Sequence, residues 1–230
     1  MAIKYHYIEK GEGFPLILLH GNGENNEYFK HQIDYFAKDY RVIALDTRGH
    51  GKTARGKADF TLAQFAEDLR RFLDSMKIEK AIILGFSDGG NIALLFTLKY
   101  PSYVKSLIVD GANLYPAGVK VMAQIPIRIG YELANLFSRI SKRALAKAEL
   151  LRLMSHEPNI APEMLEAITA PVLVMAGSRD IIKESHTKEI YQALPNAKLV
   201  ILNGNHFIAS NKYKEFNEKV DKFLKLSDYI

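Results

Sequence analysis

The sequence predicts an α/β fold built on a mostly parallel sheet. Three observations carry this. Short apolar runs recur along the chain, helical patterns fall between them, and most runs are apolar on successive positions, as in strands buried on both faces. The strand candidates are residues 15–20 (PLILLH), 41–46 (RVIALD), 81–86 (AIILGF), 104–110 (VKSLIVD), 171–176 (PVLVMA) and 197–202 (AKLVIL). Helical patterns cover 25–37, 61–76, 88–99, 184–193 and 212–225. In the second of these, Thr61 opens the helix and Leu62, Phe65, Leu69, Phe72 and Leu73 share one stripe. Such alternation implies right-handed crossovers. At the start, "IKYHYIEKGEGFPLILLHG" adds a polar-alternating strand and a glycine-rich turn, expected as an antiparallel edge.

The alternation breaks once, between Asn113 and Ile168. No strand candidate falls there, and Leu133, Leu136, Phe137 and Ile140 recur at helical spacing. The chain is therefore expected to form a single domain over 1–230, with core 1–112 and 169–230 and a helical lid insertion at 113–168. In a parallel sheet, ligands bind beyond the carboxyl ends of the strands, where such an insertion would lie.

With 230 residues, 48% hydrophobic and 25% charged, the chain can bury a sizeable core. "MAIKYHYIEK" has no apolar stretch behind its basic residues, and no run approaches the ~18 apolar residues of a membrane span. A soluble, unprocessed, cytoplasmic protein is expected. The absence of cysteine leaves hydroxyl, imidazole and carboxylate chemistry. The net charge of +5, from 31 Lys and Arg against 26 Asp and Glu, is mostly interspersed and gives no ground for nucleic-acid binding. One stretch is locally basic, with Lys120, Arg128, Arg139, Lys142, Arg143, Lys147 and Arg152 against Glu132 and Glu149. It reads as a solvated helix face.

Chemistry concentrates at "AIILGFSDGGNIALLF", residues 81–96. A buried strand entering a helix through one tight turn leaves the turn residue exposed above the sheet and demands small neighbours. Gly85-Phe86-Ser87-Asp88-Gly89 fits G-x-S-x-G in its required strand-turn-helix setting, with Ser87 as nucleophile. A serine hydroxyl needs an imidazole to take its proton and a carboxylate to orient that imidazole. Asp180 follows the strand "PVLVMA" in "GSRD", and His206 follows "AKLVIL" in "NGNHF", so the order Ser, acid, His holds. Asp110, closing "LIVD", is the rival acid. His6, His31, His156 and His186 read as surface or packing residues, whereas His20 and His50 sit at strand ends near the site.

Acyl transfer also needs donors for the developing oxyanion, each contributing about 2.7–4 kcal/mol. The backbone N–H groups of Asn22, in "LLHGNG", and of Asp88, at a helix start, are the candidates. Gly21 allows close backbone approach there and is a candidate substrate contact, as is the Asp88 side chain. Other readings of these glycines fail. Gly21-Asn22-Gly23 with Asp46 outlines a dinucleotide fingerprint, but Asn26 stands where a small residue is needed. "GKT" at 51–53 lacks the leading glycine of a phosphate loop, because Asp46 occupies that place. No metal-ligand spacing occurs, and no cofactor is expected.

"HGNG", "DTRGHGKT", "GFSDGG", "GSRD" and "GNH", in that order, resemble the α/β-hydrolase superfamily. The segment "GFSDGGNIALLFTLKYPSYVKSLIVDGANLY" is similar to the valacyclovir hydrolase, or biphenyl hydrolase-like, group. The resemblance implies a serine hydrolase with Ser87, Asp180 and His206 in the roles above. It also implies a liking for α-amino acid esters, with Asp88 meeting the amine. The expected activity is hydrolysis of small carboxylic esters without a cofactor. Amidase or aminopeptidase, thioesterase, lactonase and carbon-carbon bond hydrolase activities are alternatives on the same residues. A non-catalytic binding protein is the alternative of another class.

Overall fold

A computed structural model describes residues 3–227, so residues 1–2 and 228–230 of the expected domain span lie outside the described residues. The strands are β1 (Tyr7–Lys10), β2 (Phe14–Leu19), β3 (Tyr40–Leu45), β4 (Ala81–Phe86), β5 (Val104–Asp110), β6 (Val172–Gly177) and β7 (Ala197–Leu202). They form one sheet in the order β1-β3-β2-β4-β5-β6-β7. β1 is the antiparallel edge, with Tyr7 opposite Leu45, and all other pairings are parallel. The order reverses between β2 and β4, which pair Leu19 with Gly85. Such a switch point opens a crevice at the strands' carboxyl ends.

Successive strand residues face opposite sides, and each side is covered. Ile17, Leu19, Ile43, Ile83 and Val109 pack under α2 (Leu62–Ser75), α3 (Asp88–Lys99) and α6 (Glu184–Ala193). Leu16, Leu18, Val42, Ile82, Leu84 and Ile108 pack under α1 (Lys30–Phe36) and α8 (Tyr213–Ser227), while the short α7 (Ile208–Asn211) closes the loop after β7. Thr61 caps α2 as expected, its hydroxyl accepting from Gln64 N–H. The helix expected over 25–37 divides instead into a 3-10 turn at Asn26–Phe29 and α1, because Asn25 caps the turn by accepting from Glu27 N–H. A buried ion pair fixes α2 to the loop after β3: Arg48 donates to both oxygens of Asp68, at 2.6 and 2.7 Å.

Between β5 and β6 the chain leaves the sheet to form α4 (Val121–Leu136) and α5 (Lys142–His156), which pack on each other. The seven basic residues of this stretch are exposed. Its apolar residues keep the expected helical spacing only in part. Phe137 and Ile140 lie beyond the end of α4, and the stripe through Leu133 and Leu136 faces outward, because the buried side of α4 is the one carrying Gln124, which donates to the Pro116 carbonyl, and Ala134. No helix among the described residues is long and apolar enough to cross a membrane.

Candidate active site

β4 is buried at every position and ends where the chain turns at once into α3. Ser87 makes that turn alone, at φ 53° and ψ −120°, in a region that costs a non-glycine residue about 1–3 kcal/mol. Its neighbours have to be glycine. A Cβ on Gly85 would lie 2.2 Å from the Gly89 carbonyl oxygen, and one on Gly89 2.0 Å from that of Leu19. Ser87 N–H donates to the Asp110 carbonyl at 2.7 Å, which ties the turn to β5 and leaves the hydroxyl half-buried above the sheet.

The loop after β7 brings His206 to that hydroxyl, with Nε2 3.1 Å from Ser87 Oγ. On the other side of the ring, Nδ1 lies 2.6 Å from Asp180 Oδ1. Asp180 is aimed by its own loop, since Oδ1 accepts from Ile182 N–H at 2.9 Å and Oδ2 from Gly177 N–H at 3.3 Å. With Nδ1–H donated to the carboxylate, Nε2 remains an acceptor facing Ser87, the tautomer a general base needs. Phe86 packs against the imidazole at 4.8 Å, and the bare Cα of Gly111 leaves room for its edge.

Asp110, the rival acid, is placed elsewhere. Its carboxyl is fully buried, and among the described residues neither oxygen has a hydrogen-bond partner. Burial, and then the charge of Asp180, push its pKa well above the usual carboxylate range, which favours the neutral acid. Asp180 is the carboxylate that meets His206.

Asn22 and Asp88 lie on either side of the β2/β4 switch. Asp88 N–H is at the first position of α3, where no helical carbonyl precedes it and the helix dipole is positive. The Asp88 side chain is buried, and it anchors a network. Its Oδ2 accepts from Asn22 Nδ2 at 2.8 Å and its Oδ1 from Asn91 Nδ2 at 3.1 Å. Asn22 Nδ2 also donates to the Leu150 carbonyl of α5 at 2.9 Å, and Asn91 reaches Asn113 beyond β5. Burial raises the Asp88 pKa to about 6, with Glu157 adding to it and the two asparagines opposing. Gly21 is buried, and its N–H donates to Glu24 Oε2 at 3.2 Å. Burial raises the Glu24 pKa to about 7.

Asn91, Asn113 and Glu24 are the site residues that sequence reasoning missed. Asn91 had a signal, standing one helical turn past Asp88, and Glu24 directly follows the glycine turn. Asn113 had none, since only the sheet order brings it to α3. The remaining histidines pack as expected. His20 is buried against His50, and burial lowers its pKa to about 4. His186 is also buried, whereas His31 stacks on Tyr213 and His156 is exposed. Asp46, which outlined a dinucleotide fingerprint, commits its carboxylate to the N–H groups of Asn26 and Lys52 and to His6.

Residues 15–140 match the family described as alpha/beta hydrolase fold. The chain belongs to the α/β-hydrolase fold family. Among α/β-hydrolases it is similar to serine hydrolase BPHL of Homo sapiens, at 28% identity over 97% of this chain and 84% of that protein. The likeness expected from the segment around Ser87 thus extends over nearly the whole chain. Solved α/β-hydrolase structures superpose closely. Est816, described as an N-acyl homoserine lactone degrading enzyme, is 25% identical with a TM-score of 0.77, covering 96% of this chain and 97% of its own. The enol-lactonase from Burkholderia xenovorans, 19% identical with a TM-score of 0.82 and 97% of both chains covered, shares the fold.

Proposed function

We propose that the chain hydrolyses small carboxylic esters through an acyl-enzyme. The observation that supports this reading is the run of contacts from Asp180 to His206 to Ser87, at 2.6 and 3.1 Å, set on a strained turn at a helix start. Ser87 Oγ attacks the carbonyl carbon while His206 Nε2 takes its proton. Asp180 holds the ring and stabilises the imidazolium. The N–H groups of Asn22 and Asp88 receive the oxyanion, each contributing about 2.7–4 kcal/mol. His206 then gives the proton to the leaving alcohol, and a water molecule repeats the sequence to release the acid.

The helical segment at 113–168 acts as the lid that shapes the pocket. The Asp88 carboxylate is engaged by Asn22 and Asn91, which favours a role in positioning the Asn22 loop over reception of a substrate ammonium. Opening of lactones is the second reading, because a lactone is a cyclic ester and Est816 is described as a lactone-degrading enzyme.

A fluorophosphonate probe tests the core of the proposal. It is expected to label the wild type at Ser87 and to leave Ser87→Ala unlabelled. That variant is expected to keep its circular dichroism and lose at least about 10⁴ in kcat. A wild type that the probe does not label would favour the binding-protein alternative. A panel of open esters, lactones, thioesters and amides, with and without an α-amino group, then ranks the substrate classes.

A further inference from the structure

The outward face of α4 has no counterpart in the active-site chemistry. Met122, Ile125, Ile129, Leu133 and Leu136 stand on it, from 50% to 86% exposed, and the exposed Phe137 and Ile140 follow just past the helix end. At 100° per residue the five side chains from Met122 to Leu136 fall on one side of the helix, and the buried Gln124 and Ala134 fall on the other. A stripe of this length is more apolar surface than an isolated soluble chain ordinarily leaves bare.

We propose that this stripe is covered by a second copy of the same chain, the two α4 helices lying antiparallel about a two-fold axis. Met122, Ile125, Ile129, Leu133, Phe137 and Ile140 follow one another at steps of three, four, four, four and three residues, an order that reads the same in both directions. Antiparallel pairing about this centre sets Ile129 against Leu133 of the second copy and Ile125 against Phe137 at the helix end. The same operation lays exposed Arg128 beside Glu132 of the second copy, and this happens twice per pair.

A bilayer-seeking helix would carry an excess of Lys and Arg along its polar flank. The flank of α4 reads Arg128, Glu132, Asn135, and most of the segment's cations, Lys142, Arg143, Lys147 and Arg152, stand on α5. A contact one helix wide falls at or below the low end of the roughly 1,200–2,000 Å² of stable interfaces, so the pairing is expected to depend on concentration.

Sedimentation velocity of the full chain, from low micromolar to millimolar, is expected to show monomer giving way to dimer. Ile129→Asp and Leu133→Asp, checked for fold by circular dichroism, are expected to remain monomeric. Arg128→Glu is expected to weaken the dimer, and adding Glu132→Arg to restore it. The chain has no cysteine, so a short bis-maleimide linker can test the register directly. A mixture of Ile129→Cys and Leu133→Cys chains is expected to cross-link, whereas Lys147→Cys chains alone are not. A wild type that stays monomeric at every concentration would overturn the proposal. So would a dimer indifferent to Ile129→Asp, or a monomer that floats with phosphatidylserine vesicles through this face.

Discussion

Asp180 and Asp110 are two buried carboxyls in different surroundings. Asp180 accepts two backbone N–H groups and meets His206 Nδ1, whereas Asp110 has no hydrogen-bond partner among the described residues. Asp180→Asn is therefore expected to lower kcat by about 10⁴, as the corresponding change does in a serine protease by favouring the wrong tautomer; steady-state kinetics on a small ester would measure it. A loss below tenfold would return the role to Asp110. Asp88 supplies a stability test. Burial holds its pKa at about 6, against 3.8 for the ordinary side chain, so the fold binds this proton more tightly than the unfolded chain does. Its stabilising contribution is full below pH 4 and is lost as pH rises through 6, a change on the order of 3 kcal/mol. Asp88→Asn removes that linkage. Thermal melts are expected to show the variant gaining on the wild type between pH 4 and 6, and parallel curves would contradict the assignment. At this scale the contacts joining Ser87, His206 and Asp180 were legible, because each residue stands in a short motif at a strand end. The Asp88–Asn91–Asn113 network was not, because its partners are neighbours only after β4 and β5 pair.

Among the elements, α2 depends on a buried charge pair as well as on its apolar stripe. Truncating Asp68 would leave the Arg48 guanidinium, 3% exposed, without its anion. Asp68→Ala is expected to cost about 3–5 kcal/mol in urea unfolding, with ester hydrolysis retained in the folded fraction; a loss under 1 kcal/mol would mean that water reaches Arg48. The elements most legible in the sequence were those with both a period and a marked end. α3 and α6 occupy the residues expected, as do β4, β5 and β7. The segment from 25 to 37 was less legible, since its apolar spacing is compatible with a 3-10 turn followed by a short helix. α4 shows the limit of periodicity, which locates an apolar stripe without saying whether this chain covers it.

For the whole molecule, the alternation of strands and helices made the parallel sheet legible, and the chain order of Ser87, Asp180 and His206 indicated the sheet edge at which these three residues meet. The strand order followed from no local signal and emerged only with the pairing of β2 and β4. Stability is distributed unevenly over this frame. β4 is enclosed by β2, β5 and helices on both faces, while α4 exposes most of its surface. Hydrogen exchange at micromolar concentration is expected to be slowest at the amides of β4 and faster by orders of magnitude in α4; equal protection would contradict this ranking. One contact also bears on protein engineering. Asn22 gives one amide hydrogen to Asp88 and the other role of the same nitrogen to the backbone of α5 at Leu150, so the excursion at 113–168 is not a detachable module. A graft from another hydrolase that fails to present an oxygen at that spot would strand a polar hydrogen beside Asp88. Such chimaeras would need their joints chosen to preserve that one carbonyl.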